Sequence, residues 1–157
     1  STASTPSPLN GPTRNVRKIL MERTKNPNST IDEKVNRTKR LFKEIGYQGI
    51  NLDTEEFYKN ISAAIDRGGK DDTGFSRQLT AILGSKNRLD KVASIKAPTL
   101  IIHGEGDPLI KVKNAYVSNK LIKNSKLIVL PEMRHLIEPP VFEKFKKNLL
   151  IHLTSVK

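Results

Sequence analysis

The sequence predicts an α/β protein in which a helical region precedes a strand, a helix, a second strand and a final helix. Two continuous apolar runs predict the strands, TLIIHG at 99–104 and KLIVL at 126–130, and both are typical of parallel strands covered on both faces. Residues before position 97 show only the helical spacing of apolar side chains. The predicted organisation is an irregular segment (1–13), a helical region (14–96) and a β-α-β-α region (97–157).

Length and composition limit the class of protein. A chain of 157 residues, of which 36% are hydrophobic and 5% aromatic, can form one domain with a modest core. Cysteine is absent, which excludes disulfides, thiolate zinc sites and a cysteine nucleophile, and fits a reducing compartment. No apolar run approaches the ~20 residues that cross a bilayer, and the first residues lack a signal-peptide pattern. We therefore expect a cytoplasmic protein without a membrane span.

The net charge of +12 raises the question of nucleic-acid binding, because clustered lysines and arginines neutralise phosphates. The distribution of the charges argues against this function. No block of five like charges occurs, and basic residues do not alternate with aromatic residues that could stack on bases. A solvated, lysine-rich surface explains the excess better, and we expect no nucleic-acid partner.

Two amphipathic helices are predicted first. Residues 14–25 form one of them, with Val16, Ile19 and Leu20 on a single face. The other ends at Gly46, and either Ser29 or Thr30 can cap it. Its apolar stripe comprises Ile31, Val35, Thr38, Leu41, Phe42 and Ile45.

Two further helices complete the helical region. Asp53 or Thr54 caps the third, and the sequence RGGKDD ends it. Its apolar face comprises Phe57, Ile61, Ala64 and Ile65, whereas the fourth helix, from about Gly74 to Gly84, turns Phe75, Leu79, Ile82 and Leu83 inward. The apolar stripes, including Phe42, Phe57 and Phe75, favour a hydrophobic substrate, but the same residues can instead pack against each other.

The region after Pro98 contains the candidate site. A helix over 111–123 separates the two strands, and a double proline at 139–140 begins the last helix. The apolar face of that helix comprises Val141, Phe142, Phe145, Leu149, Leu150 and Leu153. Asp107 directly follows the first strand and His135 follows the second. Since the carboxyl ends of parallel strands meet at one sheet edge, we expect an Asp–His pair in which Asp107 orients the ring through Nδ1 and Nε2 acts as a general base.

Several of these residues also have a purely structural interpretation. Asp107 could be a turn residue, and His135 an ordinary loop histidine, although the strand, the following Pro108 and the spacing favour catalytic ancestry. We interpret His103 as a packed or hydrogen-bonded core residue and His152 as structural. Glu132 and Glu138 are interpreted as loop surface rather than as a second acid. No recognised metal-ligand spacing occurs, so no metal and no cofactor are predicted.

Three stretches resemble the carboxyl-terminal part of an α/β-hydrolase: APTLIIHGEGDPLI, SKLIVLPEM and RHLIEPPVFEKF. In that family they correspond to the strand that presents the acid, the last strand, and the histidine loop with the final helix. The resemblance is to esterase-like and methylesterase-like members, and residues 14–91 resemble the helical cap inserted before the acid-bearing strand. It implies that Asp107 is the acid and His135 the base of a catalytic triad. In the histidine loop, Glu132 and Arg134 replace glycines that are frequent in the family.

The nucleophile of such a triad is missing from this sequence. No G-x-S-x-G motif occurs, and GFSRQ at 74–78 lacks the second glycine and lies in a helical pattern, so Ser76 is not expected to be a nucleophile. The resemblance places STASTPSP just after the sixth strand of the family. We therefore expect this chain to be the second half of a serine esterase acting on a small ester-like substrate, and to be inactive alone because triad members act as a unit.

An alternative function is a non-catalytic interaction module derived from a hydrolase. Two buried-type strands leave sheet edges without partners, and an exposed edge recruits another strand. This reading predicts a homo-oligomer or a strand-exchanged dimer.

Overall fold

The computed structural model describes residues 11–26, 28–68, 73–84 and 89–155. The helices are α1 (Arg14–Lys25), α2 (Ile31–Ile45), α3 (Glu55–Arg67), α4 (Thr73–Leu83), α5 (Leu89–Ala93), α6 (Lys113–Leu121) and α7 (Pro139–Ser155), and the strands are β1 (Thr99–Gly104) and β2 (Ser125–Leu130). The predicted helical region followed by β-α-β-α is confirmed. The sequence did not predict the five-residue α5, and α6 is shorter at both ends than the predicted helix over 111–123.

The two strands form a parallel sheet in the described part of the chain. Thr99 pairs with Ser125 at one end and Gly104 pairs with Leu130 at the other, so both strands end at the same level. Residues 99–103 are only half-buried, whereas the continuous apolar run predicted cover on both faces. Because each strand has one neighbour in this sheet, its side chains meet fewer packing partners than the strands of a larger parallel sheet.

The chain divides into two compact units. One contains Ile45–Tyr47 and the described part of Lys86–Lys157, and the other contains Thr13–Glu44 and the described part of Gln48–Ser85. The first unit therefore holds the sheet, α5, α6 and α7, together with a short segment at the end of α2. The division into a cap region (14–96) and a core region (97–157) stays a prediction.

Side-chain caps explain where two helices begin. Thr30 Oγ1 accepts a hydrogen bond from Glu33 N (3.2 Å), while a Glu33 carboxylate oxygen accepts one from Thr30 N (2.7 Å). This reciprocal pair is a capping box, which makes Thr30 rather than Ser29 the cap of α2. Thr54 Oγ1 accepts from Phe57 N (3.1 Å) and caps α3, so Thr54 rather than Asp53 has this role.

The core of the sheet-containing unit lies between α7 and the loop that follows β2. Met133, Val141 and Phe145 are buried there, and partly buried side chains surround them: Tyr47, Ile102, Leu130, Phe142 and Leu149. The rings of Phe142 and Phe145 pack edge to face with centroids 5.4 Å apart. This core holds the start of α7 and the loop after β2 in place beside the end of β1.

Several predicted core positions are exposed instead. Ile31, Ile82, Leu150 and Leu153 have relative exposures of 42%, 55%, 54% and 61%. Helical spacing identifies the apolar side of a helix but not how far along that side a neighbour reaches. The predicted inward positions Phe75, Leu79 and Leu83 lie outside the described side chains. The rings of Phe42 and Phe57 pack edge to face with centroids 5.8 Å apart, which agrees with the interpretation that these side chains pack against each other.

Candidate functional site

Asp107 lies in the turn that ends β1. Glu105 N extends the ladder by donating to Leu130 O (3.0 Å), and Asp107 N then donates to Gly104 O (3.4 Å). The Asp107 side chain folds forward, and its Oδ1 accepts from the backbone N–H groups of Leu109 (2.8 Å) and Ile110 (2.9 Å). Such a side-chain turn fixes the carboxylate relative to the strand end. These two backbone hydrogen bonds therefore orient the whole Asp107 carboxylate.

The Asp107 carboxylate is buried but remains stabilised as an anion. Only 3% of its side chain is exposed. Burial on its own raises the pKa of Asp107, but the hydrogen bond from His135 and those from the backbone of Ile110 and Leu109 outweigh it, so the net pKa is lowered from its ordinary value. The geometry therefore keeps a negative charge in a largely dry position.

His135 reaches the same place from the loop after β2. Met133 N donates to Leu130 O (3.3 Å), and the buried Met133 side chain anchors the loop in the core. A Cβ atom added to Gly104 would overlap the carbonyl oxygens of Met133 and Arg134 and would lie 2.6 Å from Met133 C. The absence of a side chain at Gly104 is thus what allows this loop to lie against the end of β1.

His135 and Asp107 form a direct hydrogen-bonded pair. Nδ1 of His135 lies 2.8 Å from Oδ2 of Asp107. Because an ionised carboxylate only accepts, Nδ1 carries the proton, which leaves Nε2 as the basic nitrogen of the neutral ring. No described residue hydrogen-bonds Nε2, and 26% of the His135 side chain is exposed. The predicted pair is therefore brought together with the nitrogen assignment that general-base chemistry needs.

His103 is a second histidine beside the same carboxylate. Its Nε2 lies 2.9 Å from Ile110 O, and since a carbonyl oxygen only accepts, Nε2 is the donor. The distance from this nitrogen to Asp107 Oδ2 is 3.7 Å. His103 therefore ties the strand to the far end of the acid turn, in agreement with its interpretation as a hydrogen-bonded core residue.

The short segment at the end of α2 also contacts the histidine loop. Ile45 O accepts from His135 N (2.8 Å) and from Leu136 N (3.3 Å). In return, Tyr47 N donates to Oε1 of Glu138 (2.8 Å). Sequence reasoning missed these contacts and placed Glu138 on the loop surface. The glutamate before two prolines gave no signal of a partner 91 residues away.

Two further residues that the sequence analysis considered are Ser76 and His152. Ser76 lies at an exposed position of α4, in the compact unit that does not contain Asp107 and His135. His152 lies near the end of α7 and is partly exposed. Among the described residues, no three His, Asp or Glu side chains are grouped as a metal site requires. No described helix is both long enough and apolar enough to span a membrane.

The compact unit formed by Thr13–Glu44 and the described part of Gln48–Ser85, here called the helical unit, contains a cavity of about 260 Å³. Apolar side chains of α1, α2 and α3 make up much of its wall, and the remainder includes three basic residues: Arg23, Lys34 and Arg37. The residues that line it all belong to the helical unit. A pocket of this size and lining could accommodate a small organic group.

The chain has the fold of the carboxyl-terminal part of an α/β-hydrolase. An esterase from Exiguobacterium antarcticum superposes with a TM-score of 0.63 at 19% identity, covering 88% of this chain and 47% of that structure. A meta-cleavage product hydrolase from Pseudomonas fluorescens IP01 gives 0.65 at 18% identity, with 93% and 52% covered. The 2-hydroxy-6-oxo-6-phenylhexa-2,4-dienoate hydrolase from Rhodococcus sp. strain RHA1 gives 0.63 at 13% identity, with 98% and 53% covered.

These likenesses concern structure rather than sequence. The chain spans about half the length of each of these solved structures. No protein-family model matches the sequence. No curated protein matches it either.

Proposed function

We propose that this chain supplies the acid and the general base of a serine hydrolase, Asp107 and His135. The observation that carries the proposal is the 2.8 Å hydrogen bond between His135 Nδ1 and a buried, ionised Asp107, with Nε2 left without a described partner. Two of the solved structures with this fold are named as hydrolases and one as an esterase, which supports hydrolysis as the reaction class.

The proposed reaction is acyl transfer to a serine followed by hydrolysis. Nε2 of His135 removes the serine proton as the serine oxygen attacks the carbonyl carbon of an ester. The protonated ring then gives that proton to the departing alcohol, and the resulting acyl-serine is hydrolysed by water activated in the same way. Asp107 stays ionised throughout and stabilises the imidazolium.

The serine itself is proposed to lie outside this sequence. The sequence contains no G-x-S-x-G motif, and Ser76 lies within α4 rather than on a strand-to-helix turn. The chain also matches about half of each solved structure, which leaves room in those folds for the nucleophile and the oxyanion hole. The helical region is proposed as a cap that lines the substrate pocket, and the substrate as a small ester.

Ester hydrolysis by the full-length protein that contains this sequence tests the proposal. His135→Ala is expected to lower kcat/KM for a short p-nitrophenyl ester by about 10⁶-fold, because the base that activates the serine is lost and triad members act as a unit. His152→Ala is the matched control, since this histidine lies on α7, outside the proposed machinery, and it should retain wild-type activity. Hydrolysis by His135→Ala at the wild-type rate would refute the assignment of the base.

A second candidate function is self-association of this chain. Three large apolar side chains lie exposed near the end of α7: Leu150, Ile151 and Leu153, each more than half exposed. Each strand of the described sheet also has only one neighbour. Together these features favour a second copy of the chain as partner.

Gel filtration with light scattering measures this directly. The isolated chain is expected to elute as a dimer or larger species, and Leu150→Lys with Leu153→Lys is expected to shift it toward the monomer. Tyr116→Lys, an exposed apolar position on α6, is the control. A concentration-independent monomer would rule this function out.

A further inference from the structure

Glu138 is tied to a segment that is remote in sequence but adjacent in the fold. The residue is the last one of the loop between β2 and α7, which also contains His135. Its Oε1 accepts a hydrogen bond from Tyr47 N (2.8 Å), while its Oε2 is buried and has no hydrogen-bond partner among the described residues. A carboxylate with one buried, unpaired oxygen is costly, so the bond to Tyr47 N must offset part of that cost.

The same segment holds the backbone of His135. Ile45 O accepts from His135 N (2.8 Å) and from Leu136 N (3.3 Å). The loop and the segment are thus joined in both directions: the loop donates to Ile45, and the loop's own Glu138 accepts from Tyr47. A closed set of hydrogen bonds of this kind limits how far the loop can shift along the segment.

The hydrogen bond between the His135 ring and Asp107 requires the loop backbone to stay in place. Its ring hydrogen-bonds a carboxylate that is itself fixed by two backbone N–H groups, so Asp107 cannot follow a displaced ring. A shift of about 1 Å in the loop would lengthen the 2.8 Å bond beyond hydrogen-bonding distance. The alignment of the pair therefore depends on what holds the loop backbone.

We propose that Glu138 is a positioning residue for His135: by accepting from Tyr47 N it holds Ile45 O under the His135 backbone and keeps the ring on Asp107. This inference rests on the proposed function, because it assigns a purpose to the alignment of the pair. The proposal concerns the carbonyl-type acceptor of Glu138 rather than its charge. A glutamine retains this acceptor, whereas alanine removes it and aspartate is too short to reach Tyr47 N.

The test uses the 157-residue chain and two NMR readouts that need no activity. Backbone amide exchange reports the His135 N–H bond to Ile45, and carboxyl ¹³C titration reports the pKa of Asp107. Glu138→Ala and Glu138→Asp are expected to speed His135 amide exchange about tenfold, as the loss of roughly 1.4 kcal/mol implies. Both variants should also raise the pKa of Asp107, because burial continues to favour the neutral acid once the His135 bond is weakened.

Two controls define the effect. Glu138→Gln is expected to match wild type in both readouts. Glu132→Gln is expected to match it too, because Glu132 lies in the same loop but is exposed and pairs with Lys144 Nζ (2.6 Å). If Glu138→Ala does not fold, Glu138→Asp decides the result.

Unchanged exchange and an unchanged Asp107 pKa in Glu138→Asp would overturn the proposal, as would equal changes in Glu132→Gln. A loosening of the amide without a change in the Asp107 pKa would also overturn it, since that is the result of a merely structural role. Failure of the full-length protein to hydrolyse esters refutes the proposed function but moves neither readout. The two failures are therefore distinguishable.

Discussion

Replacing Gly104 with alanine is expected to destabilise the chain by about 3 kcal/mol and to displace the histidine loop. The new Cβ atom would overlap two backbone carbonyl oxygens, those of Met133 and Arg134, and backbone cannot rotate away as a flexible side chain can. Urea unfolding measures the free energy, and the Asp107 pKa measured by NMR reports whether His135 has moved. The loss of the His135 bond should raise that pKa.

Gly106→Ala is the matched control for this substitution. Gly106 lies two residues further along the same turn, and a Cβ atom there would meet only Arg134 Cγ at 3.9 Å, an ordinary contact. We expect this variant to stay within about 1 kcal/mol of wild type. Unfolding of Gly104→Ala at the same urea concentration as Gly106→Ala would show that the loop backbone does not lie this close to the end of β1.

Replacing Asp107 with asparagine is expected to cost about 2 kcal/mol at neutral pH, because a buried charged acceptor of three hydrogen bonds becomes a neutral amide. The cost should depend on pH. The folded state lowers the pKa of Asp107, so its contribution is present above the unfolded value of 3.8 and is lost as the pH falls through the lower folded value. The stability difference between wild type and Asp107→Asn should therefore shrink in acid.

Unfolding free energies of both proteins between pH 5 and pH 2, the range in which carboxylates rather than imidazoles ordinarily titrate, measure this dependence. Asp90→Asn is the control, since Asp90 is an exposed residue of α5 and should show no comparable difference from wild type. A difference between Asp107→Asn and wild type that stays constant, or grows, toward low pH would contradict the stabilised carboxylate.

The sequence predicted the pair because its determinants are local. An apolar run ending in a turn with Asp107, and a second run ending before His135, suffice once the strands are taken as parallel, and their register places both strand ends at one level. Thr54 was one of two caps that the sequence allowed for α3, since a cap contacts residues a few positions away.

The support of the pair could not be predicted from sequence because it depends on contacts between distant segments. Glu138 and Tyr47 are 91 residues apart, and neither residue belongs to a motif that names the other. The need for glycine at position 104 likewise arises from the backbone of Met133, which reaches it only in the folded chain. The exposure of Leu150 follows from where packing on α7 stops, and helical spacing contains no information on that point.

The nitrogen that carries the proton of neutral His135 shows whether Asp107 holds the ring through Nδ1. Two-dimensional ¹H–¹⁵N spectra of the imidazole in the 157-residue chain, recorded at a pH where the ring is neutral, identify that nitrogen. We predict a protonated Nδ1 and an unprotonated Nε2, which is the form that can accept a proton from a serine. A protonated Nε2 with a bare Nδ1 would show that Asp107 does not hold the ring and that His135 is not oriented as a general base.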